Sequence, residues 1–236
     1  MKEIKICGLQ KTTLLDYPGH VAATIFLGGC NFRCPFCHNA ELLGNDAEAQ
    51  YSREEVISFL TKRKKILEGV CITGGEPTLQ PEALEDFIRE IRSLGLLVKL
   101  DTNGTRPDVL KDFTDKKLLD FVAMDIKAAP RHYPQVCGTP GPDMNAVMES
   151  VAWLKSGTLP FEFRTTAVKG LHTREDFEQI GPWIEGCPHY YLQNYVASEL
   201  VLHPEGFDGF SKEELLEFAE IVKPFVGSVA LRGIDY

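Results

Sequence analysis

Strand-like and helix-like segments alternate along almost the whole chain, and no other feature limits the fold so strongly. Residues 21–27 (VAATIFL) form an apolar run short enough for a buried strand. Residues 52–65 open on Ser52 with Glu55 three positions later, a capping box. Val56, Ile57, Phe59 and Leu60 follow at helical spacing. Residues 70–73 read as a strand ending in Gly-Gly. Residues 81–94 read as a helix with Leu84, Phe87, Ile88 and Ile91 on one face, stopped by Gly95. Residues 96–100 are a strand that ends at Asp101. The pattern continues with a helix at 109–116, a strand at 121–124, a helix at 145–155 and a strand at 161–168. A helix at 174–184 capped by Thr173, a strand at 190–195, a helix at 211–222 and a strand at 228–231 complete it. Ser211 and Glu214 form a second capping box. Strands separated by helices of about 10–15 residues imply βαβ units and a parallel sheet.

The length of 236 residues suits one domain, 1–236, and no linker-like stretch divides it. Cys137 to Pro142 reads as a long loop. The net charge of −9 offers no basic footprint for nucleic acid. No apolar run approaches the ~18 residues of a membrane span. The N-terminus from Met1 to Gly8 is too charged for a signal peptide. Seven cysteines without an export signal argue for reduced thiols in the cytoplasm rather than a disulfide framework.

Parallel sheets place their chemistry at the carboxyl ends of strands. Cys30, Gly74-Gly75-Glu76, Asp101, and Asp125 with Lys127 all fall there. Cys30, Cys34 and Cys37 have the spacing C-x3-C-x2-C. Cys34-Pro-Phe-Cys37-His38 also matches a c-type haem attachment, which leaves Cys30 idle. The same stretch matches a redox dithiol. Zinc with His38 as fourth ligand requires two adjacent residues to bind together. Three buried structural thiols within eight residues, in a loop holding glycine and proline, are the remaining bland alternative. A 4Fe-4S cluster held by three thiolates leaves one iron without a protein ligand.

This cysteine pattern, with Phe36 before the last cysteine, resembles the signature of the radical SAM superfamily. The resemblance implies a cluster whose open iron chelates S-adenosylmethionine. It also implies reductive cleavage to a 5′-deoxyadenosyl radical, with the cofactor carrying the chemistry and the protein positioning it. It implies, too, a partial (β/α)6 TIM-like barrel of α/β class with parallel strands. That barrel suits six principal βα units in a chain shorter than the ~250 residues typical of a full barrel.

Other segments extend the resemblance. Thr73-Gly74-Gly75-Glu76-Pro77 resembles the motif that binds the methionine amino group; without the cysteines it would also serve as a plain strand-to-helix turn. Phe36 implies packing near the adenine, and His38 a backbone contact. Asp101-Thr102-Asn103-Gly104 and Asp125-Ile126-Lys127 resemble the cofactor-contacting segments of the pyruvate formate-lyase activating enzyme, in which both aspartates help hold a monovalent cation. Asp101 and Asn103 also suit turns and caps. Arg164, among apolar neighbours, needs a partner, either the ligand carboxylate or an internal acid. Tyr195 stands near a cofactor-contacting position, where this chain departs from the family pattern. Cys7, Cys71, Cys137 and Cys187 are scattered and read as structural.

Lys11 to Gly19, with Asp16-Tyr17-Pro18-Gly19, resembles the N-terminus of glycyl-radical-enzyme activating proteins, in the version found with anaerobic ribonucleoside-triphosphate reductase. The implied function is installation of a glycyl radical on that partner, with flavodoxin or ferredoxin as electron donor. Alternatives are an activator of pyruvate formate-lyase or another glycyl radical enzyme, a small-molecule enzyme of the 7-carboxy-7-deazaguanine synthase type, or a non-catalytic metal-binding module.

Overall fold

The computed structural model describes residues 3–44, 46–198, 201–203 and 205–234; Met1 and Lys2 of the charged N-terminus lie outside them. Its elements in chain order are β1 (Ile6–Thr13), β2 (Ala22–Leu27), α1 (Arg53–Arg63), β3 (Gly69–Gly74), α2 (Pro81–Ser93), β4 (Leu97–Thr102), α3 (Pro107–Asp115) and β5 (Phe121–Asp125). They continue with α4 (Tyr133–Val136), α5 (Met144–Ser156), β6 (Phe161–Ala167), α6 (Arg174–Trp183), β7 (Tyr190–Asn194), α7 (Lys212–Val222) and β8 (Val229–Arg232). The strands neighbour one another in chain order. β2, β3 and β4 pair in parallel, as do β6, β7 and β8. Among the described residues no helix is long and apolar enough to cross a membrane.

β1 departs from the sequence expectation, which held no strand before residue 21. It pairs antiparallel with β2. Residues 14–21 are too few for the crossover of about a dozen residues that a parallel pairing needs. This short connection is packed. Tyr17 is buried, and a Cβ on Gly69 would stand 2.8 Å from its ring. The Thr24 hydroxyl donates to Asp16 Oδ2 at 2.5 Å. Asp16 and Tyr17 thus tie the connection to β2 and β3.

The chain packs as two compact units. The first comprises Met1–Asn31, Glu41–Thr102 and Arg106–Val122; the second comprises Phe32–Ala40, Asn103–Thr105 and Ala123–Tyr236. In the first, β3 and β4 carry consecutive buried residues, Val70-Cys71-Ile72 and Val98-Lys99-Leu100, the mark of strands covered on both faces. The apolar stripe of α2 buries Leu84, Phe87, Ile88 and Ile91 completely. The capping box of Ser52 and Glu55 starts α1 where the sequence placed it. In the second unit, Phe177 of α6 stacks on Phe218 of α7 with ring centroids 4.4 Å apart. The Asp176 carboxylate accepts from the Thr173 backbone N–H at 2.9 Å and begins α6.

Candidate functional site

In the first unit, β2 and β3 end level, Leu27 opposite Gly74. The chain then leaves both strands side by side. Gly75 N–H donates to the Leu27 carbonyl at 2.8 Å, and Glu76 N–H to that of Gly29 at 2.7 Å. Both glycines are required by this contact. Gly74 has φ +118°, and a Cβ there would collide with the Leu27 backbone; one on Gly75 would collide with the Gly29 carbonyl. The turn thereby sets Glu76 close in space to the segment leading to Cys30.

Glu76 is buried, and donors from two segments hold its carboxylate. Oε1 accepts from Thr78 N at 3.1 Å, from Thr78 Oγ1 at 2.5 Å and from Thr102 Oγ1 at 2.8 Å. Asp101 and Thr102 lie within β4 rather than beyond it. Asp101 is ion-paired with Lys99, a fully buried lysine two residues earlier on the same strand face. Cys71 Sγ donates to Asp101 Oδ1 at 3.6 Å. Lys99 was missed in the sequence; its signal was a lysine inside an otherwise apolar strand, which demands a buried partner.

In the second unit, the loop bearing Cys34 and Cys37 is bracketed by main chain from two segments. Arg33 N–H donates to the Cys137 carbonyl at 2.9 Å. His203 N–H donates to that of Pro35 at 2.8 Å, and Leu202 N–H to that of Cys37 at 3.3 Å. Inside the loop, Cys37 N–H donates to the Cys34 carbonyl at 3.0 Å. Gly138 completes the first bracket. Its φ is +62°, and a Cβ would collide with the Arg33 carbonyl. Gly138→Ala should therefore cost roughly 2 kcal/mol in stability or more, from the left-handed backbone and the displaced loop. Thermal melting of the iron-free protein measures the loss; an unchanged melting temperature would show that the bracket yields without cost.

Phe36 is buried with its ring 6.4 Å from that of His172. Val168 N–H donates to His172 Nδ1 at 3.1 Å, so Nε2 carries the proton and donates to the Lys127 carbonyl at 2.7 Å. Burial holds this imidazole below its usual range. His172, missed in the sequence, fixes the main chain at Lys127 while its ring meets that of Phe36.

Lys127 Nζ reaches Asp125 Oδ2 at 2.9 Å, and Arg164 Nε reaches Asp125 Oδ1 at 3.1 Å. An internal acid is thus a partner of Arg164. Burial alone would push the Asp125 carboxyl up, but Lys127 and Arg164 outweigh it and hold it at about 2. Burial would pull Lys127 down, yet Asp125, helped by the nearby Cys34 sulfur, keeps it above the usual ammonium range. The Tyr133 hydroxyl spans Lys127 N–H at 3.3 Å and the Asp125 carbonyl at 3.4 Å.

The remaining expected residues have local roles. Asn103 Oδ1 accepts from Thr105 N–H at 3.1 Å and from its hydroxyl at 2.7 Å, the turn-forming alternative for this residue. The His38 ring lies 5.6 Å from that of buried Tyr195, and burial lowers its pKa. Cys30 belongs to the first unit, Cys34 and Cys37 to the second. Cys7, Cys71, Cys137 and Cys187 are buried and outside any disulfide.

The superfamily model for radical SAM proteins matches residues 24–181. This chain belongs to the radical SAM superfamily. A Methanocaldococcus jannaschii protein bearing the name "Putative glycyl-radical enzyme activating enzyme" is 31% identical over 239 residues, covering 98% of this chain and 96% of that protein. The pyruvate formate-lyase-activating enzyme of Clostridium pasteurianum is 31% identical over 129 residues, covering 51% of this chain and 53% of its own. Among solved structures, SuiB of Streptococcus suis bound to S-adenosylmethionine shares the fold with a TM-score of 0.68. The match has 13% identity and covers 86% of this chain and 48% of SuiB. Coproporphyrinogen III oxidase of Escherichia coli matches with a TM-score of 0.60 and 13% identity, over 89% of this chain and 53% of the oxidase. The α/β fold with a mostly parallel sheet, expected from the sequence, is the fold of this superfamily.

Radical SAM membership implies a 4Fe-4S cluster and S-adenosylmethionine. Cys30, Cys34 and Cys37 fit the cluster by donor chemistry. None of the three is in a disulfide; Cys34 is buried and the other two are half-buried. Among the described residues no three His, Cys, Asp or Glu side chains are arranged as a metal site. The ligand assignment therefore stands on thiol chemistry, spacing and family.

Proposed function

We propose that residues 1–236 act as one radical SAM domain that installs a glycyl radical on a partner enzyme. The observation that carries this reading is the 31% identity to the M. jannaschii activating-enzyme relative along nearly the full length of both chains. Cys30, Cys34 and Cys37 would hold the cluster, which when bound and reduced would supply one-electron chemistry to S-adenosylmethionine. The chain's own residues bind and orient. Glu76 receives the ammonium of the methionine moiety, with Gly74 and Gly75 setting its approach. Phe36 packs against the adenine. We assign Lys127, Arg164 and Asp125, with His38, Asn103 and Tyr195, to the remaining contacts of the ligand. The proposal does not extend to a monovalent cation, because Asp101 and Asp125 each already hold a lysine ammonium of the chain.

The partner we assign is anaerobic ribonucleoside-triphosphate reductase, supported by the likeness at Asp16-Tyr17-Pro18-Gly19, with flavodoxin or ferredoxin as reductant. A second reading has its own observation. A 7-carboxy-7-deazaguanine synthase of Hyperthermus butylicus is 36% identical over 96 residues, covering 41% of this chain and 40% of that enzyme. Reduced, reconstituted protein mixed with S-adenosylmethionine and the reductase should give a glycyl-radical doublet by electron paramagnetic resonance. Absence of the doublet with every glycyl radical enzyme of the same organism would overturn the proposal.

A further inference from the structure

We infer that Thr102 and Thr78 are positioning residues for Glu76, and that Thr102 acts on S-adenosylmethionine through this carboxylate rather than by touching the ligand. The inference rests on the reading that Glu76 receives the ammonium. Three donors converge on a single carboxylate oxygen, Glu76 Oε1, from two separate segments. Thr78 belongs to the turn that follows Glu76, and Thr102 to the end of β4. A carboxylate oxygen that accepts from two separate segments has its position fixed. All three side chains are buried, so little water competes for these hydrogen bonds. The hydroxyls also stabilise the ionised form, the form an ammonium requires. β4 thus contributes to ligand recognition through a hydrogen bond to the neighbouring motif.

The test compares two ligands on the cluster-loaded protein by equilibrium binding. One is S-adenosylmethionine. The other is its deaminated analogue, in which a carbonyl oxygen replaces the amino group. Thr102→Val should weaken S-adenosylmethionine by roughly tenfold and leave the analogue unchanged, since it removes a charge-assisted bond to Glu76. Thr102→Ser, which keeps the hydroxyl, should restore binding. If Thr102→Val does not fold, Thr78→Val serves in its place. It loses the 2.5 Å hydroxyl bond, keeps the backbone donor and should show the same selectivity. Equal weakening of both ligands, or of neither, would overturn the inference if Glu76→Gln does discriminate between them. If Glu76→Gln fails to discriminate, the reading of Glu76 itself falls, and the inference with it.

Discussion

Cys34→Ala protein, reconstituted anaerobically with iron and sulfide, will hold no stable 4Fe-4S cluster and will not cleave S-adenosylmethionine. Cys34 is the most buried of the three motif cysteines, and its sulfur lies near enough to the Lys127 ammonium to influence it electrostatically. Removing this sulfur leaves two thiols, and the family's cluster uses three. Iron and sulfide per chain and the sulfur-to-iron charge-transfer absorption measure the outcome. Cys187→Ala serves as the control. That thiol is buried and hydrogen-bonded to the His189 carbonyl at 3.1 Å, and burial raises it to about 11. Its loss should leave cluster content unchanged. A normal cluster in Cys34→Ala would refute the ligand assignment.

Asp125→Asn should destabilise the fold by roughly 2–4 kcal/mol, because it leaves the Lys127 ammonium and the Arg164 guanidinium without their shared carboxylate. Both cations are largely buried, at 18% and 13% side-chain exposure. The same group gives an acid-dependent term with a defined sign. The Asp125 carboxyl sits at about 2 in the folded protein, whereas an unfolded aspartate lies near ~3.9. Between these values the unfolded chain binds more protons, so stability falls as pH falls. The contribution is complete above about pH 5 and lost towards pH 2, and amounts to about 2 kcal/mol after allowance for partial exposure. Urea unfolding across this window should show a steeper acid loss for the wild type than for Asp125→Asn. Equal slopes would mean that the carboxylate is not held by its two cations.

Most of the regular elements were legible because they carried a local signal. Ser52 with Glu55 and Ser211 with Glu214 announced two helix starts, and the α2 stripe announced a buried face. β1 was not legible. Gly8, Gln10 and Lys11 interrupt any apolar run, and the strand is defined by its partner β2, a long-range fact. In the site, the cysteine spacing and the Gly-Gly-Glu turn could be read directly. What surrounds them could not. His172 acts on Lys127 across 45 residues of chain, while Thr78 and Lys99 each act on an acid two residues away, and each residue type is commonplace. The sequence left Arg164 between a ligand carboxylate and an internal acid, and the structure supplies Asp125 as one partner. The glycines of the Gly-Gly-Glu turn could have served a ligand alone; the structure shows that the chain's own backbone already requires them.

The two brackets around the loop of Cys34 and Cys37 act on main-chain atoms. Such fastening is indifferent to which side chains the loop displays. Substitution at its outward positions can therefore accumulate without moving the thiols, provided that 202 and 203 keep a backbone N–H and 138 stays glycine. A lineage could revise the surface it presents around the cofactor while inheriting the same anchorage, so divergence in target and constancy of chemistry need not compete for the same positions.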